Sequence, residues 1–311
     1  MSDAIVRDSS SDHVTVKTAG KFRDILFPTN FSKSSEAITD HAVGLAQATN
    51  TKVWILSVIP RLEEWHGASE MYFGPFSDAA IEGFEAERKV LEAERLKMVQ
   101  RFQQSHFASV NSDVVVRSGG VAEQIIEVAK ERDAGLIMMP THTLGRRRQF
   151  LIGSTTAKVL HDAPCPVWTS PHPRELNPFR PYRNIVIAID YRSLLGPFLK
   201  RASEFAGRFG AKLSVFSAIP TAFEADRHLT HKLKKDLGSA LEDQLRECKI
   251  KASIHLLEGN PGEVIWEVAE DIEKADLIIT GRGRLDEAAA GHLHSNNYEI
   301  IWYAPCPVIT L

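Results

Sequence analysis

Two arginine clusters in the chain could bind an anion. Arg146, Arg147 and Arg148 are consecutive, and Arg282 and Arg284 alternate with glycine. A guanidinium group donates hydrogen bonds to phosphate or carboxylate oxygens in a fixed geometry, so either cluster could hold a phosphate group, and the first an acidic partner. The alternatives are that the first cluster is simply solvated and that the second forms salt bridges with helix carboxylates. The sequence leaves both interpretations open.

Two histidine pairs have spacings that could bring metal ligands together, and neither is complete. His292 and His294 are separated by one residue, and His228 and His231 by two. A zinc site needs three or four ligands, and neither pair has a cysteine cluster or an acidic partner nearby in the sequence. We therefore predict no metal site.

Sequence motifs of the common nucleotide enzymes are absent. No Walker Gly-x-x-x-x-Gly-Lys-Ser/Thr sequence occurs, and the segment that begins at Gly281 lacks the last glycine of the dinucleotide fingerprint. Ser118-Gly119-Gly120 follows the third predicted strand and is interpreted as a turn. No general base stands out at a predicted strand end, so the sequence favours a protein that is not an enzyme without deciding the question.

Charge and cysteine content narrow the class of protein. Lys and Arg number 37 against 40 Asp and Glu, which offers no electrostatic reason to expect nucleic acid or an anionic membrane as partner. The three cysteines Cys165, Cys248 and Cys306 cannot build a disulfide framework and suit a reducing compartment. No secretory signal pattern and no apolar run of membrane-spanning length is seen. We expect a cytoplasmic protein.

The chain contains two copies of one sequence pattern. Residues 22–60 align with residues 182–220 at a constant offset of 160, with eight identities in 39 positions. The sequence APCPV occurs at Ala163–Val167 and again at Ala304–Val308, where the offset is 141. The first copy has about 20 extra residues after its second strand and lacks one residue before Leu136. A consistent register with one localised insertion indicates a duplication.

Each copy alternates short apolar runs with longer helical segments. The runs are rich in β-branched residues, which is typical of strands buried on both faces. Five strands alternating with four helices predict an α/β fold, a doubly wound five-stranded parallel sheet, for which we expect the strand order 3-2-1-4-5. The predicted strands are Asp24–Pro28, Lys52–Val58, Val114–Arg117, Leu136–Met139 and Cys165–Thr169, then Ile185–Ile189, Lys212–Ala218, Ser253–Leu257, Leu277–Thr280 and Cys306–Thr310.

A sheet of this kind binds ligands at one edge. The site lies past the carboxyl ends of the strands at which the strand order reverses. The candidate ligand residues therefore follow Phe27 and Met139 in the first copy, and Ile187 and Thr280 in the second.

At these positions the chain resembles the universal stress protein family. The resemblance rests on Pro28–Ser32 (PTNFS), on Gly153-Ser154 after a loop and nine residues, and on the two APCPV strands. It covers both copies and is similar to tandem two-domain members. It implies an adenine nucleotide alpha-hydrolase-like fold, a role in the stress response, and a pseudo-dimer of the two copies. In that arrangement the last strands, Val167–Thr169 and Val308–Thr310, would pair.

The resemblance also implies a nucleotide-binding loop, which the first copy keeps in part. Nucleotide-binding members have Gly, two residues, Gly, nine residues, Gly and Ser or Thr after the fourth strand, and an Asp after the first. Pro140 and Thr143 replace the first two glycines, and Asn30 replaces the Asp. The phosphate end is intact, as is the start of the strand-one loop: Gly153, Ser154, Thr155, Thr156, Pro28 and Thr29.

The second copy has lost the other half of the motif. Asp190 retains the position of the Asp, and Gly281 that of the first glycine. Arg284 replaces the second glycine, and His294-Ser295 replaces Gly-Ser. With Val58 and Met139 at neighbouring strand ends, these residues and those of the first copy form the predicted site for ATP or AMP, with Mg²⁺ carried by the nucleotide.

The sequence predicts four segments and leaves the function open. Residues 1–21 are expected to be a flexible tail, residues 22–170 the first domain, residues 171–181 a proline-rich linker and residues 182–311 the second domain. The alternatives to a nucleotide-responsive regulator are a scaffold protein of the same fold, and a slow ATP hydrolase or autophosphorylating protein. The aromatic insertion at residues 61–80 is either a lid or partner surface, or a loop packed on its own domain. An unknown protein partner and a homodimer are further expectations.

Overall fold

The computed structural model describes residues 23–60, 78–141, 152–170, 176–190, 196–219, 227–282 and 296–311. These residues form two compact units. The described residues between 23 and 141 and between 153 and 165 form the N-terminal unit, and those between 166 and 311 form the C-terminal unit. Most of the aromatic insertion, Thr143, the Arg146–Arg148 cluster, Arg284, His292, His294 and Ser295 lie outside the described residues.

The N-terminal unit is built on a parallel sheet with the strand order β3-β2-β1-β4. Its two central strands are apolar runs that the structure buries: all four residues of β1 and all five of β4 are buried. The strands are β1 (Ile25–Pro28), β2 (Val53–Ile59), β3 (Ser112–Ser118) and β4 (Leu136–Pro140). The helices are α1 (Lys33–Ala37), α2 (Thr39–Thr49), α3 (Asp78–His106), α4 (Val121–Glu131) and α5 (Ser154–Asp162).

The C-terminal unit repeats this architecture. Its strands are β5 (Val167–Ser170), β6 (Asn184–Ala188), β7 (Lys212–Ile219), β8 (Ser253–Glu258), β9 (Leu277–Thr280) and β10 (Val308–Thr310). The order β8-β7-β6-β9-β10 is the predicted 3-2-1-4-5. The helices are α6 (Gly196–Gly207), α7 (Arg227–Glu247), α8 (Pro261–Trp266) and α9 (Asn296–Tyr303). A π-helical turn, Glu267–Ile272, continues α8.

The two last strands of the sequence repeats pair with each other inside the C-terminal unit. β5 runs antiparallel to β10, with Val167 opposite Thr310 and Thr169 opposite Val308. The alternating parallel fold and this strand pairing agree with the sequence prediction. The pseudo-dimer as a whole, and the domain boundaries drawn from the sequence, stay predictions.

The cysteines of the two APCPV segments lie in the protein interior. Cys165 and Cys306 are buried, as predicted for packing residues, and burial raises the pKa of the Cys306 thiol far above its usual value. No helix among the described residues is long and apolar enough to cross a membrane.

Gly135, just before β4, lies so close to the chain at Arg23 that a side chain would collide with it. A Cβ at Gly135 would lie 2.6 Å from Arg23 Cβ and 3.1 Å from Arg23 Cα. We expect Gly135→Ala to lower the free energy of unfolding of the N-terminal unit by about 1–3 kcal/mol, because the backbone must shift. Thermal unfolding measures the loss. Gly196→Ala is the control, since a Cβ there meets nothing within 4 Å; equal melting temperatures of the two variants would contradict the prediction.

Candidate functional site

The carboxyl ends of β1 and β4 form the predicted ligand edge of the N-terminal unit. The two strands are neighbours, with Ile25 opposite Leu136 and Leu26 opposite Ile137. The residues that follow them, Thr29-Asn30 and Thr141, therefore leave the sheet side by side. Met139 and Pro140 are buried at the end of β4, and Val58 is partly exposed near the end of β2.

The loop after β1 is held by its own polar side chains. Thr29 is buried, its N–H donates to Leu56 O at 2.8 Å, and its Oγ1 accepts from Phe31 N at 3.0 Å. Asn30 Oδ1 accepts from Ser32 N at 3.1 Å and from Ser35 Oγ at 3.0 Å. Because a backbone N–H can only donate, these contacts identify the amide oxygen.

Asn30 therefore uses its acceptor inside the loop. The other polar atom of the amide is Nδ2, which donates, whereas an aspartate would have a second oxygen as an acceptor. The replacement of Asp by Asn at this position thus changes both charge and hydrogen-bonding polarity.

Helix α5 begins against the end of β4. Gly153 N donates to Thr141 O at 3.2 Å, and Thr156 Oγ1 donates to Pro140 O at 3.2 Å. Gly153 is the N-cap and has no side chain to accept from the first turn, so no side-chain cap covers this helix start. Ser154 is exposed and Thr155 partly exposed, whereas Thr156 is buried and ties the helix to the strand. The first turn of α5 can accept an anion through its N–H groups and the positive end of its dipole.

The C-terminal unit brings together the corresponding pair of residues. Ala188 is opposite Thr280 in the β6–β9 pairing, so Asp190 and Gly281 leave the sheet at the same edge. Ile189, before Asp190, donates to Phe216 O at 2.9 Å and accepts from Ser217 Oγ at 3.2 Å. A Cβ at Gly281 would lie 3.7 Å from the Phe198 ring, an ordinary contact, so this glycine is not sterically required.

A buried polar cluster at the opposite end of the C-terminal unit is not evident from the sequence. His255 Nε2 lies 2.6 Å from Glu273 Oε1, and Lys212 Nζ lies 3.3 Å from Glu273 Oε2. The side chains of His255 and Glu273 are 3% and 7% exposed. The hydrogen bond from His255, with smaller contributions from Ser214 and Lys212, overcomes burial and lowers the pKa of Glu273 from 4.5 to about 2.

The N-terminal unit has a different arrangement at the equivalent positions. Lys52 and Arg132 lie over the Trp54 ring, at 3.8 and 4.4 Å from its centroid. Val115 occupies the position of His255, as the strand registers show. In the sequence, the only sign of the buried cluster is a histidine in the third strand, His255, together with a carboxylate after the next helix, Glu273.

No group of three or more His, Cys, Asp or Glu side chains that could hold a metal occurs among the described residues. Of the predicted histidine pairs, only the side chain of His231 falls in the described part of the chain, and it is exposed.

Comparison with known proteins gives a consistent result for both copies. The family model of the universal stress protein family matches residues 21–171 and 181–311. A universal stress protein of Mycobacterium tuberculosis is 23% identical over 204 residues, which cover 61% of this chain and 68% of that protein. One of Synechocystis is 27% identical over 153 residues, 48% of this chain and 86% of that protein.

Solved structures share the fold along nearly the whole chain. The crystal structure of a universal stress protein from Archaeoglobus fulgidus superposes with a TM-score of 0.56 at 20% identity, covering 92% of this chain and 95% of that one. A functionally unknown protein from Pseudomonas aeruginosa gives 0.60 at 18% identity, covering 93% and 92%.

Proposed function

Because the chain belongs to the universal stress protein family in both of its copies, we propose that it is a stress-response regulator that binds ATP or AMP in its N-terminal copy. The start of α5 at Gly153, tied to the end of β4 and lacking a side-chain cap, is the observation that carries this proposal. A helix start of this kind accepts a phosphate group through backbone N–H groups.

In this proposal different residues of the N-terminal copy bind different parts of the nucleotide. The N–H groups at Ser154 and Thr155 bind phosphate, and Mg²⁺ enters with the nucleotide. Asn30 at the end of β1 donates to the sugar through Nδ2, and Val58 and Met139 border the adenosine side. Thr156 positions the helix through Pro140.

The second copy is the weaker candidate. Asp190 would supply an acceptor for the sugar, and Gly281 lies at the same edge. Arg284 and Ser295 would have to replace the missing backbone contacts to phosphate, and both lie outside the described residues.

A ligand-independent interaction protein is the second candidate function. Val90, Leu91 and Met98 on α3 are 58%, 45% and 46% exposed. Large apolar side chains exposed along one helix favour a contact with another molecule. The proposed regulator needs such a surface as well, so nucleotide binding is the property that separates the two candidates.

Gly153→Asp tests the proposal without a large effect on folding. A Cβ at Gly153 meets only Thr141 O at 3.6 Å and Thr156 Oγ1 at 3.9 Å, and φ is −56°. Aspartate is also a favourable N-cap, so the variant should melt at the same temperature or slightly higher. Its carboxylate repels phosphate, and we expect at least about a tenfold loss of affinity for ATP and AMP, by calorimetry with and without Mg²⁺.

Two further variants complete this experiment. Gly153→Ala adds the Cβ without the charge and should bind nearly as the wild type does. Asn30→Asp restores the acceptor and should bind AMP more tightly. Native mass spectrometry without a retained nucleotide, together with no calorimetric signal at millimolar ATP, would leave the interaction protein as the function.

A further inference from the structure

β3 is the outermost strand of the N-terminal unit among the described residues. It is paired on one side only, with β2, from Val53 opposite Ser112 to Ile59 opposite Ser118. Val53 N donates to Asn111 O at 2.9 Å, and Gly119 N donates to Ile59 O at 3.0 Å. In a parallel pair the bonding residues alternate, so the odd-numbered residues of β3 bond to β2. The backbone groups of the even-numbered residues point outward.

The sequence of β3 is self-complementary when it is reversed. It reads Ser-Asp-Val-Val-Val-Arg-Ser, so reversal about Val115 exchanges Asp113 with Arg117, Val114 with Val116, and the two terminal serines. In an antiparallel pair of two β3 strands related by a two-fold axis at Val115, Asp113 lies opposite Arg117 of the second copy. Both charge pairs form at once because of the symmetry.

The hydrogen-bonding pattern of β3 fits the same register. Val114 and Val116, whose backbone groups point outward, would lie opposite each other and form the hydrogen-bonded pairs. Asp113 and Arg117 would form the non-hydrogen-bonded pairs, in which side chains approach more closely. A shift by one residue would place inward-pointing backbone groups opposite outward-pointing ones, so this register alone satisfies both the charges and the backbone.

Each face of β3 offers suitable contacts. Ser118 Oγ donates to Glu92 of α3 at 3.1 Å, so the even-numbered side chains face α3. There a groove of about 700 Å³ lies between α3 and the strand edge, with an apolar part formed by Ala93, Leu96 and Val116. The valines of a second β3 strand would enter this groove.

The charged side chains of β3 already have partners on their own chain and can keep them. Asp113 pairs with Lys52 at 2.6 Å and Arg117 with Glu131 at 2.5 Å, all four side chains being partly or largely exposed. Addition of a second copy would extend these pairs into a row of alternating charges from Lys52 to Glu131 of the second copy. Such networks contribute more than isolated surface pairs.

The outer strand of the other unit provides an internal comparison. β8 is the equivalent edge of the C-terminal unit, and Ser253 and Leu257 occupy the positions of Asp113 and Arg117. Its sequence, Ser-Ile-His-Leu-Leu-Glu, has no reversed complement. The self-complementary pattern is therefore not a requirement of an outer strand in this fold.

We propose that β3 is an interface through which two copies of this chain associate, by antiparallel pairing of Ser112–Ser118 about Val115. Opposite charges in matching positions convert an exposed edge, which could otherwise pair with any strand, into one that selects its own copy.

Charge exchange at the two positions tests this interface. By analytical ultracentrifugation at micromolar concentrations the wild type should sediment as a species of twice the 34.6 kDa chain mass. Asp113→Arg and Arg117→Asp each place like charges opposite one another and should weaken the dimer by about tenfold or more. The double variant, with both substitutions, restores opposite charges across the axis and should recover the dimer in part, because each exchanged charge then lies beside a like charge of its own chain, Lys52 or Glu131.

A proline variant separates strand pairing from general charge effects. Val114→Pro removes an outward N–H and leaves the bonds to β2 in place, so it should yield monomers that melt at nearly the wild-type temperature. Ile254→Pro makes the matched change on β8 and should remain dimeric. A wild-type protein that is still monomeric at about 100 µM overturns the proposal. A dimer that persists in Val114→Pro overturns it as well.

Discussion

Replacement of Glu273 by alanine is expected to lower the free energy of unfolding of the C-terminal unit by about 2–4 kcal/mol, because it removes the carboxylate of a buried hydrogen-bonded pair and leaves a cavity. His255, 3% exposed, would lose the carboxylate 2.6 Å from its Nε2. Loss of this acceptor leaves a buried imidazole N–H without a hydrogen-bond partner, which is costly.

Hydrogen exchange along a urea titration of the intact chain measures this effect. Peptides from β7 and β8 should become exposed at a lower urea concentration, and those from β1 and β2 should not change. Arg132→Ala, at the equivalent position of the N-terminal unit, removes only an exposed cation over Trp54 and should cost much less. Equal losses for the two variants would show that the buried pair adds no stability.

The same carboxylate makes the stability of the C-terminal unit depend on pH. The folded-state pKa of Glu273, about 2, lies below the usual 4.5. Its contribution is therefore complete above about pH 5 and is lost as the pH falls toward 2, up to about 3 kcal/mol in all. In Glu273→Gln this loss should be absent. The pKa of Asp276 is raised, mainly by burial, so its protonation acts in the opposite direction.

Trp168→Ala is expected to be the most disruptive substitution in the antiparallel pair of β5 and β10, and to lower the free energy of unfolding by about 3–5 kcal/mol. Trp168 is fully buried in β5, lies opposite Ile309 of β10, and donates from Nε1 to Tyr182 Oη at 3.1 Å. Tyr182 is itself 1% exposed and packs on the rings of Phe205 and Phe209. Truncation leaves a cavity and an unpaired hydroxyl.

Thermal unfolding with two control variants separates the cavity from the hydrogen bond. Trp168→Phe keeps most of the ring volume and should cost about 1–2 kcal/mol, as should Tyr182→Phe, which removes only the hydroxyl. Exchange at β10 should rise most in Trp168→Ala. A change of less than about 1 kcal/mol in that variant would mean that β5 is not part of the core of this unit.

Much of the fold follows from local pattern. β9 begins and ends where the apolar run does, at Leu277 and Thr280, and most other strands differ from prediction by one or two residues. β1, β4 and β9 are buried on both faces, so their apolar composition alone marks them as strands. The location of the candidate site could be predicted in part, because the strand order places Asn30 and Thr141 at one edge of the sheet. The hydrogen bonds that Asn30 Oδ1 accepts from Ser32 and Ser35 could not be predicted, because they depend on how the loop folds back.

The duplication and the doubly wound parallel fold follow from the sequence, which also predicts that the two copies have lost different parts of one motif. The sequence also shows that the second copy has one more residue before its fourth strand. The place of that residue is seen only in the folded chain. The glycines with positive φ, Gly119 and Gly259, are 140 residues apart, while Asp133 and Lys274, which also have positive φ, are 141 apart. The added residue thus lies between them, in the helix that contains the π-turn Glu267–Ile272.

Glu273 directly follows that turn and lies beside His255 and Lys212. The equivalent positions of the first copy hold the two cations over Trp54. A helix can take up an extra residue as a π-turn. The strands that carry His255 and Lys212 are distant from this turn in the sequence, so the contact is not evident from the sequence. The self-complementary pattern of β3 can be read in the sequence. Its role as a surface likewise depends on the outer position of β3 in the sheet, which only the fold shows.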